Sequence, residues 1–225
     1  ANRVLCIEIG NRMTHVVETD FKVKEPKIYK SFSFQTPDNL FKEETLADVL
    51  PFKERLDAGP LGWIFAYLCR VYGKKQEWLD ASKSCIDFLE EHCVNRAAGG
   101  RLYFTVTADG RPLRQRRYCF SEGFYAMANA EYYGVTGDAA CLERARAAYE
   151  LIYQLNNGLI QDPTGLGPKT IPETRTGRAL ADPMIYLNIT AVMRRCDPER
   201  TALYDARARE CCETIFKYHH KPEMK

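Results

Sequence analysis

The sequence lacks any apolar run approaching the roughly 18 residues that a membrane-spanning helix needs, because charged or polar side chains interrupt every hydrophobic stretch well before that length. No membrane insertion is therefore expected. No secretory leader is recognisable or expected either: Val4 to Ile9 is a short run broken by Glu8, and no cleavage-like segment follows it. Charge of one sign is scarce, since 32 Lys+Arg against 30 Asp+Glu leave a formal net charge of +2, too small to imply a nucleic-acid partner. The nine cysteines form no Cys-x-x-Cys array and the four histidines no His-Glu-x-x-His, so no metal site is expected. Adjacent Cys211 and Cys212 would leave a helix in different directions, which makes buried thiols in a cytoplasmic protein the simplest reading. Neither Gly-x-Gly-x-x-Gly nor Gly-x-x-x-x-Gly-Lys-[Ser/Thr] occurs; Gly165-Leu166-Gly167 is too short to replace them, and no cofactor is expected.

What is present is the composition of one or two soluble domains: 225 residues, 45% hydrophobic and 28% charged. Residues 1–40 read as a β-rich segment. Val4-Leu5-Cys6-Ile7-Glu8-Ile9-Gly10 is a strand ending at a glycine turn, Thr14 to Val17 and Lys27 to Phe34 supply two more, and Thr36-Pro37-Asp38-Asn39 collects turn residues. Over residues 41–225 the period becomes helical. Leu46, Val49, Leu50 and Leu56 form a partial stripe interrupted by Pro51, a helix from Leu61 to Tyr72 stops at Gly73, and another runs from Gln76 to about Cys93.

Beyond Gly99-Gly100, a short ribbon is expected from Leu102 to Val106 with its turn at residues 108–110. Ser121 is placed to cap a helix carrying Phe124, Met127, Ala128 and Tyr132, closed by Gly134 to Gly137, and Asp138 to cap the next, with Leu142, Ala145, Tyr149 and Ile152. Residues 156–180 read as a long connection before a helix through Met184, Leu187, Ile189 and Val192. Asp197-Pro198 then starts a helix whose inner face uses Leu203, Ala206, Cys211 and Ile215. Helical hairpins of this kind must stack to cover their apolar faces, which predicts a mainly α fold of toroid or solenoid type.

Arg111, Arg114, Arg116 and Arg117 form the densest basic patch, able to hold a phosphate, a carboxylated sugar or an acidic partner, or simply to be solvated. Glu122 sits among Phe120, Phe124 and Tyr125 at a helix start. A carboxylate there can orient sugar hydroxyls or, with its pKa raised by burial, move a proton; it can equally satisfy the helix N-terminus. His15, His92, His219 and His220 are the only histidine bases available, and structural or surface roles suit each.

The stretch Arg111-Pro112-Leu113-Arg114-Gln115-Arg116-Arg117-Tyr118-Cys119-Phe120-Ser121-Glu122-Gly123-Phe124-Tyr125-Ala126-Met127-Ala128 resembles the N-acylglucosamine 2-epimerase family. So do Asp48-Val49-Leu50-Pro51-Phe52, the Thr-Gly-Asp boundary at 136–138, Asp162-Pro163-Thr164-Gly165-Leu166-Gly167 and Pro183-Met184-Ile185-Tyr186-Leu187-Asn188-Ile189, a match spread over about residues 43–218. The resemblance implies a partial (α/α)6 toroid and epimerisation beside a sugar carbonyl, or aldose–ketose isomerisation, by histidine acid–base chemistry. It implies sugar-binding roles for Arg116, Phe120, Glu122 and Tyr125. The family's functional arginine has no counterpart at Arg55, and its usual catalytic histidines, carried in a C-terminal half, have no matching motif at His219 or His220. Expected partners are thus a small sugar ligand and a second copy completing the helical layer. The alternatives are a non-catalytic helical scaffold and, because Val4 to Val17 resembles the first phosphate-facing hairpin of pilus-assembly-type actin-like ATPases, a fragment of such an ATPase.

Overall fold

In a computed structural model of the chain, the structure describes residues 3–9, 13–20, 28–35 and 58–220, apart from positions 108, 168, 169, 172 and 175–178. The chain divides into two units, Ala1–Asp57 and Ala58–Lys225. In the first, β1 (Arg3–Ile9), β2 (Met13–Asp20) and β3 (Ile28–Gln35) form an antiparallel meander in that order, with Ile7 opposite Val16 and Val16 opposite Phe32. The three expected strands are all found. The turn at 36–39 and the stripe from Leu46 to Leu56 lie outside the described residues.

The second unit is predominantly helical and is built from three hairpins. Helix α1 (Ala58–Tyr72) ends where Gly73 takes φ +95°, a backbone conformation that L side chains rarely adopt. It buries Leu61, Phe65, Leu68 and Cys69, and it turns back through α2 (Gln76–Phe88), which buries Trp78, Ala81, Cys85 and Ile86. The hairpin is tight because Gly62 carries no Cβ: one built there would lie 3.2 Å from the Ala128 Cβ and 3.3 Å from the Cys85 Cβ. Ser82 uses this approach to donate a 2.7 Å hydrogen bond to the Gly62 carbonyl. Past Phe88 the helix widens into a π turn, Leu89–Cys93.

Helix α3 (Phe120–Thr136) is the centre of the unit, packed by α1, α2, α4 (Ala139–Asn156) and α5 (Ala181–Cys196). Ten of its 17 residues are buried, and Ala126, Ala128 and Ala130 among them let neighbours approach on several sides. Gly137 closes it at φ +78°, and Asp138 caps α4 by accepting the Ala140 N–H at 3.0 Å, as the sequence predicts. The third hairpin joins α5 through a short 3₁₀ turn (Pro198–Arg200) to α6 (Thr201–Tyr218). Because α1 packs on α3, and α3 on α5, the hairpins stack as in part of an α/α toroid. Tyr149, Tyr186 and Tyr204 meet where α4, α5 and α6 converge, stacked at 4.8 Å and edge-on at 5.2 Å between ring centroids.

Local details depart from expectation where a distant partner competes. Ser121 does not cap α3; Cys119 occupies that position without a side-chain cap, and Glu122 turns inward instead. Asp197 holds the N-cap position with Pro198 next to it, as expected, but of a short 3₁₀ turn, and its side chain makes no cap bond, because Arg146 takes both carboxylate oxygens, at 2.7 and 2.8 Å, and the Tyr204 hydroxyl donates to it at 2.6 Å. The buried face of α6 is Tyr204, Arg207 and Cys211, not one built on Leu203 and Ala206, since the tyrosine cluster and Glu150 draw in the neighbouring register. The expected strand from Leu102 to Val106 is divided. Arg101–Leu102 pairs with Val94–Asn95, and Thr105–Val106 pairs with Pro112–Arg114.

Candidate functional site

The segment between α2 and α3 has few apolar residues to bury, so its position depends on polar anchors. The principal one is Arg101, whose side chain has no solvent exposure. Its Nε donates to Glu122 Oε1 at 2.7 Å, its Nη1 pairs with Asp162 Oδ2 at 2.5 Å, and its Nη2 donates to the carbonyls of Arg116 at 2.9 Å and Tyr118 at 3.5 Å. Glu122 Oε1 also accepts the Leu102 N–H at 2.8 Å, while Gln115 Nε2 donates to the Leu102 carbonyl at 2.8 Å. One guanidinium therefore ties the start of α3, the ribbon segment and the connection after α4 together. The two carboxylates and the two carbonyls offset the cost of burying this charge, although the Nη1 contact with Asp162 is an ion pair without hydrogen-bond geometry.

The electrostatics follow from this knot. Burial alone would raise the Asp162 carboxyl, but hydrogen bonds from Arg101 and from the Thr164 backbone and hydroxyl outweigh it and hold the group below its ordinary value. Burial, reinforced by the Glu122 charge, pushes the Cys119 thiol up to about 12, so it stays protonated and unreactive near neutrality. Burial and then the Glu90 carboxylate raise the Tyr125 phenol.

The four sugar-binding candidates are not all brought together. Arg116 lies over the Phe104 ring at 4.5 Å, and Phe120 stacks on Tyr118 at 5.7 Å, with Phe104 and Tyr118 respectively 45% and 40% exposed. Each pair leaves part of an aromatic ring open, beside a cation in one case and a second ring in the other, and the apolar side of a sugar ring packs on groups of this kind. Glu122 is fully buried and holds Arg101, and through it the backbone that carries Arg116 and Tyr118. Its Oε2 has no hydrogen-bond partner among the described residues. Tyr125 points elsewhere, donating to Glu90 in the π turn.

Sequence reasoning passed over Arg101, Phe104 and Tyr118 as site residues. Only the Asp162-Pro163-Thr164-Gly165 turn carried a usable signal, since an Asp followed two residues later by Thr marks the local cap that positions Asp162. His92 is committed to the Phe88 ring, 4.9 Å away, and a Cβ at Gly110 would fall 2.1 Å from its Nδ1. Among the described residues no group of three or more His, Cys, Asp or Glu could hold a metal ion, and no helix is long and apolar enough to cross a membrane.

No protein-family model matches the chain. Over 158 residues it is 32% identical to the N-acylglucosamine 2-epimerase of Rattus norvegicus and 30% identical to that of Bos taurus, in each case covering 69% of this chain. The chain spans 37% of the length of these relatives. In fold it is similar to a sugar epimerase from a ruminal bacterium (TM-score 0.61, 16% identity, covering 74% of this chain and 44% of the other). The cellobiose 2-epimerase from Bacillus thermoamylovorans is similar to the same degree (TM-score 0.59, 19% identity, 71% and 43%). Homology and fold thus match the sugar-epimerase superfamily.

Proposed function

We propose that the helical unit is the sugar-holding portion of an epimerase or isomerase that acts by proton abstraction next to a sugar carbonyl, and that this chain alone does not complete the acid–base pair. The reading rests on one observation: the similarity to the mammalian N-acylglucosamine 2-epimerases extends over 158 residues. In this reading Arg116 and Phe120 meet the sugar directly, and Arg116 is suited to stabilising negative charge on the carbonyl oxygen. Glu122 acts as a positioning residue through Arg101, and Tyr125 steadies α3 against the π turn.

The substrates named by the relatives, an N-acylglucosamine and cellobiose, are the sugars to test. Proton NMR in deuterated water would follow the hydrogen next to the carbonyl, with sugar-induced shifts read on the protein in the same sample. Binding without exchange is the expected result, weakened by Arg116→Ala and Phe120→Ala. Robust exchange would overturn the inactivity of the lone chain, and absence of binding by any of these sugars would overturn the sugar-holding role.

A second reading, a non-catalytic helical scaffold, draws on apolar side chains left open on the outer hairpins. Val71 and Tyr72 at the end of α1 are 44% and 55% exposed, and Phe216 on α6 is 65% exposed. A second copy of the chain could cover such faces. Sedimentation across a concentration series separates the readings, because a scaffold of this kind associates whether or not sugar is present.

A further inference from the structure

Four of the seven buried side-chain atoms that lack a hydrogen-bond partner among the described residues belong to the Arg101 knot: two acceptors, Glu122 Oε2 and Gln115 Oε1, and two donors, Arg101 Nη1 and Arg116 Nε. Buried polar groups in folded proteins nearly always find a partner, so orphans gathered in one place point to a bound molecule. We infer that Glu122 and Gln115 together hold one internal water, which fastens the loop that carries Arg116 to the start of α3.

The geometry runs through Leu102, which faces Val94 across the short ladder. Its N–H donates to Glu122 Oε1 at 2.8 Å and its carbonyl accepts Gln115 Nε2 at 2.8 Å. The N–H and C=O of one residue in an antiparallel strand point to the same side, so the two side chains lie next to each other along one strand edge, where a neighbouring strand would otherwise pair. A carbonyl only accepts, so Gln115 must present its NH2 to Leu102 and is left with a bare amide oxygen. Glu122 has likewise committed Oε1, to Leu102 and to Arg101 Nε at 2.7 Å, and is left with Oε2. Two acceptors cannot bond each other. They need a molecule that donates two protons between them, and water does so, whereas a single sugar hydroxyl donates one. An ammonium would stand against the Arg101 guanidinium on the same carboxylate. Water also has two lone pairs to offer, and the orphan donors sit on the residues adjoining Leu102 and Gln115 in sequence, Arg101 and Arg116. The bridge closes a ring from the Leu102 N–H through Glu122, the water and Gln115 back to the Leu102 carbonyl. Glu122 and Arg101 have no solvent exposure, so the water is held inside the protein.

The test uses the isotopically labelled full chain. Cross-peaks from water to the Leu102 amide and to the Gln115 side-chain NH2 are expected, with opposite signs in laboratory-frame and rotating-frame NOE spectra, as for a water that tumbles with the protein. Cellobiose and N-acetylglucosamine should leave them in place, whether or not either sugar binds. Gln115→Met should remove the Leu102 cross-peak and speed hydrogen exchange at that amide about tenfold, the worth of one or two hydrogen bonds. A crystal structure that resolves ordered water should place one molecule within hydrogen-bonding distance of both Glu122 Oε2 and Gln115 Oε1; together with the unsubstituted chain's spectra, it decides the question even if the variant does not fold. Missing or same-sign cross-peaks, a Leu102 cross-peak that survives Gln115→Met, or a protein donor seated on Glu122 Oε2 in the crystal would each overturn the inference. Loss of the cross-peaks on adding sugar would give the position to a sugar hydroxyl.

Discussion

Helix α3 carries two glutamates that water does not reach, one near each end, and they are satisfied in opposite ways. Glu131 is closed: Oε1 accepts Arg70 from α1 at 2.5 Å and Oε2 accepts Arg195 from α5, so the carboxylate bridges the three stacked helices. Glu122 is half-open: one oxygen serves both Arg101 and the Leu102 N–H, and the other has no hydrogen-bond partner among the described residues. The first joins helix to helix. The second joins a helix to a two-residue strand and, through Arg101, to the loop carbonyls of Arg116 and Tyr118, and loops are where positions for ligand contact are set. The contrast separates a group that holds the stack from one that shapes a surface upon it.

Removing the partner of the half-open glutamate should have the largest effect. Arg101→Met leaves Glu122 buried with only the Leu102 N–H and should cost about 4 kcal/mol of unfolding free energy by denaturant titration. Glu131→Ala should cost less, about 3 kcal/mol, because Arg70 and Arg195 are already 33% and 38% exposed and can hydrate when the carboxylate is gone. If Glu131→Ala proved the costlier change, the distinction between the two ends would collapse.

Between these and the surface changes lies Gly110→Ala. A Cβ there would meet the His92 ring, and the φ of +84° is strained for any L side chain, so a loss of about 1–2 kcal/mol is expected by thermal melting. Acid should loosen the Asp162 anchor of the Arg101 knot. The folded Asp162 pKa is depressed, so its contribution is present above the unfolded value near about 3.9 and is lost as the pH falls through the lower folded value. Hydrogen exchange at the Thr164 amide should accelerate in that window. Smallest of all, Arg116→Ala should change stability by no more than about 0.5 kcal/mol while weakening sugar binding, since its guanidinium rests on an exposed ring.

Much of the helical unit was legible in the sequence because hairpin helices advertise themselves locally. The Gly73 stop, the Gly137 closure and the Asp138 cap all depend on neighbours a few residues away. What escaped was decided at a distance. Asp197 looked like a cap until Arg146, 51 positions earlier, claimed its carboxylate. The expected face at Leu203 and Ala206 shifted by one residue because Tyr204 and Arg207 have polar partners in Asp197 and Glu150. The candidate site divides along the same line: the stretch from Arg116 to Tyr125 was visible as a string, but Arg101, which knots it to Asp162, belongs to no periodic pattern.

The Glu131 bridge also bears on how long the fold lasts once formed. Its two bonds join residues 61 and 64 positions apart, so they can close only after α1 and α5 have both docked against α3. Contacts made that late lie on the native side of the folding barrier, where they slow unfolding without hastening folding. In stopped-flow experiments, Glu131→Ala should therefore leave the refolding limb nearly unchanged and shorten the lifetime of the native stack.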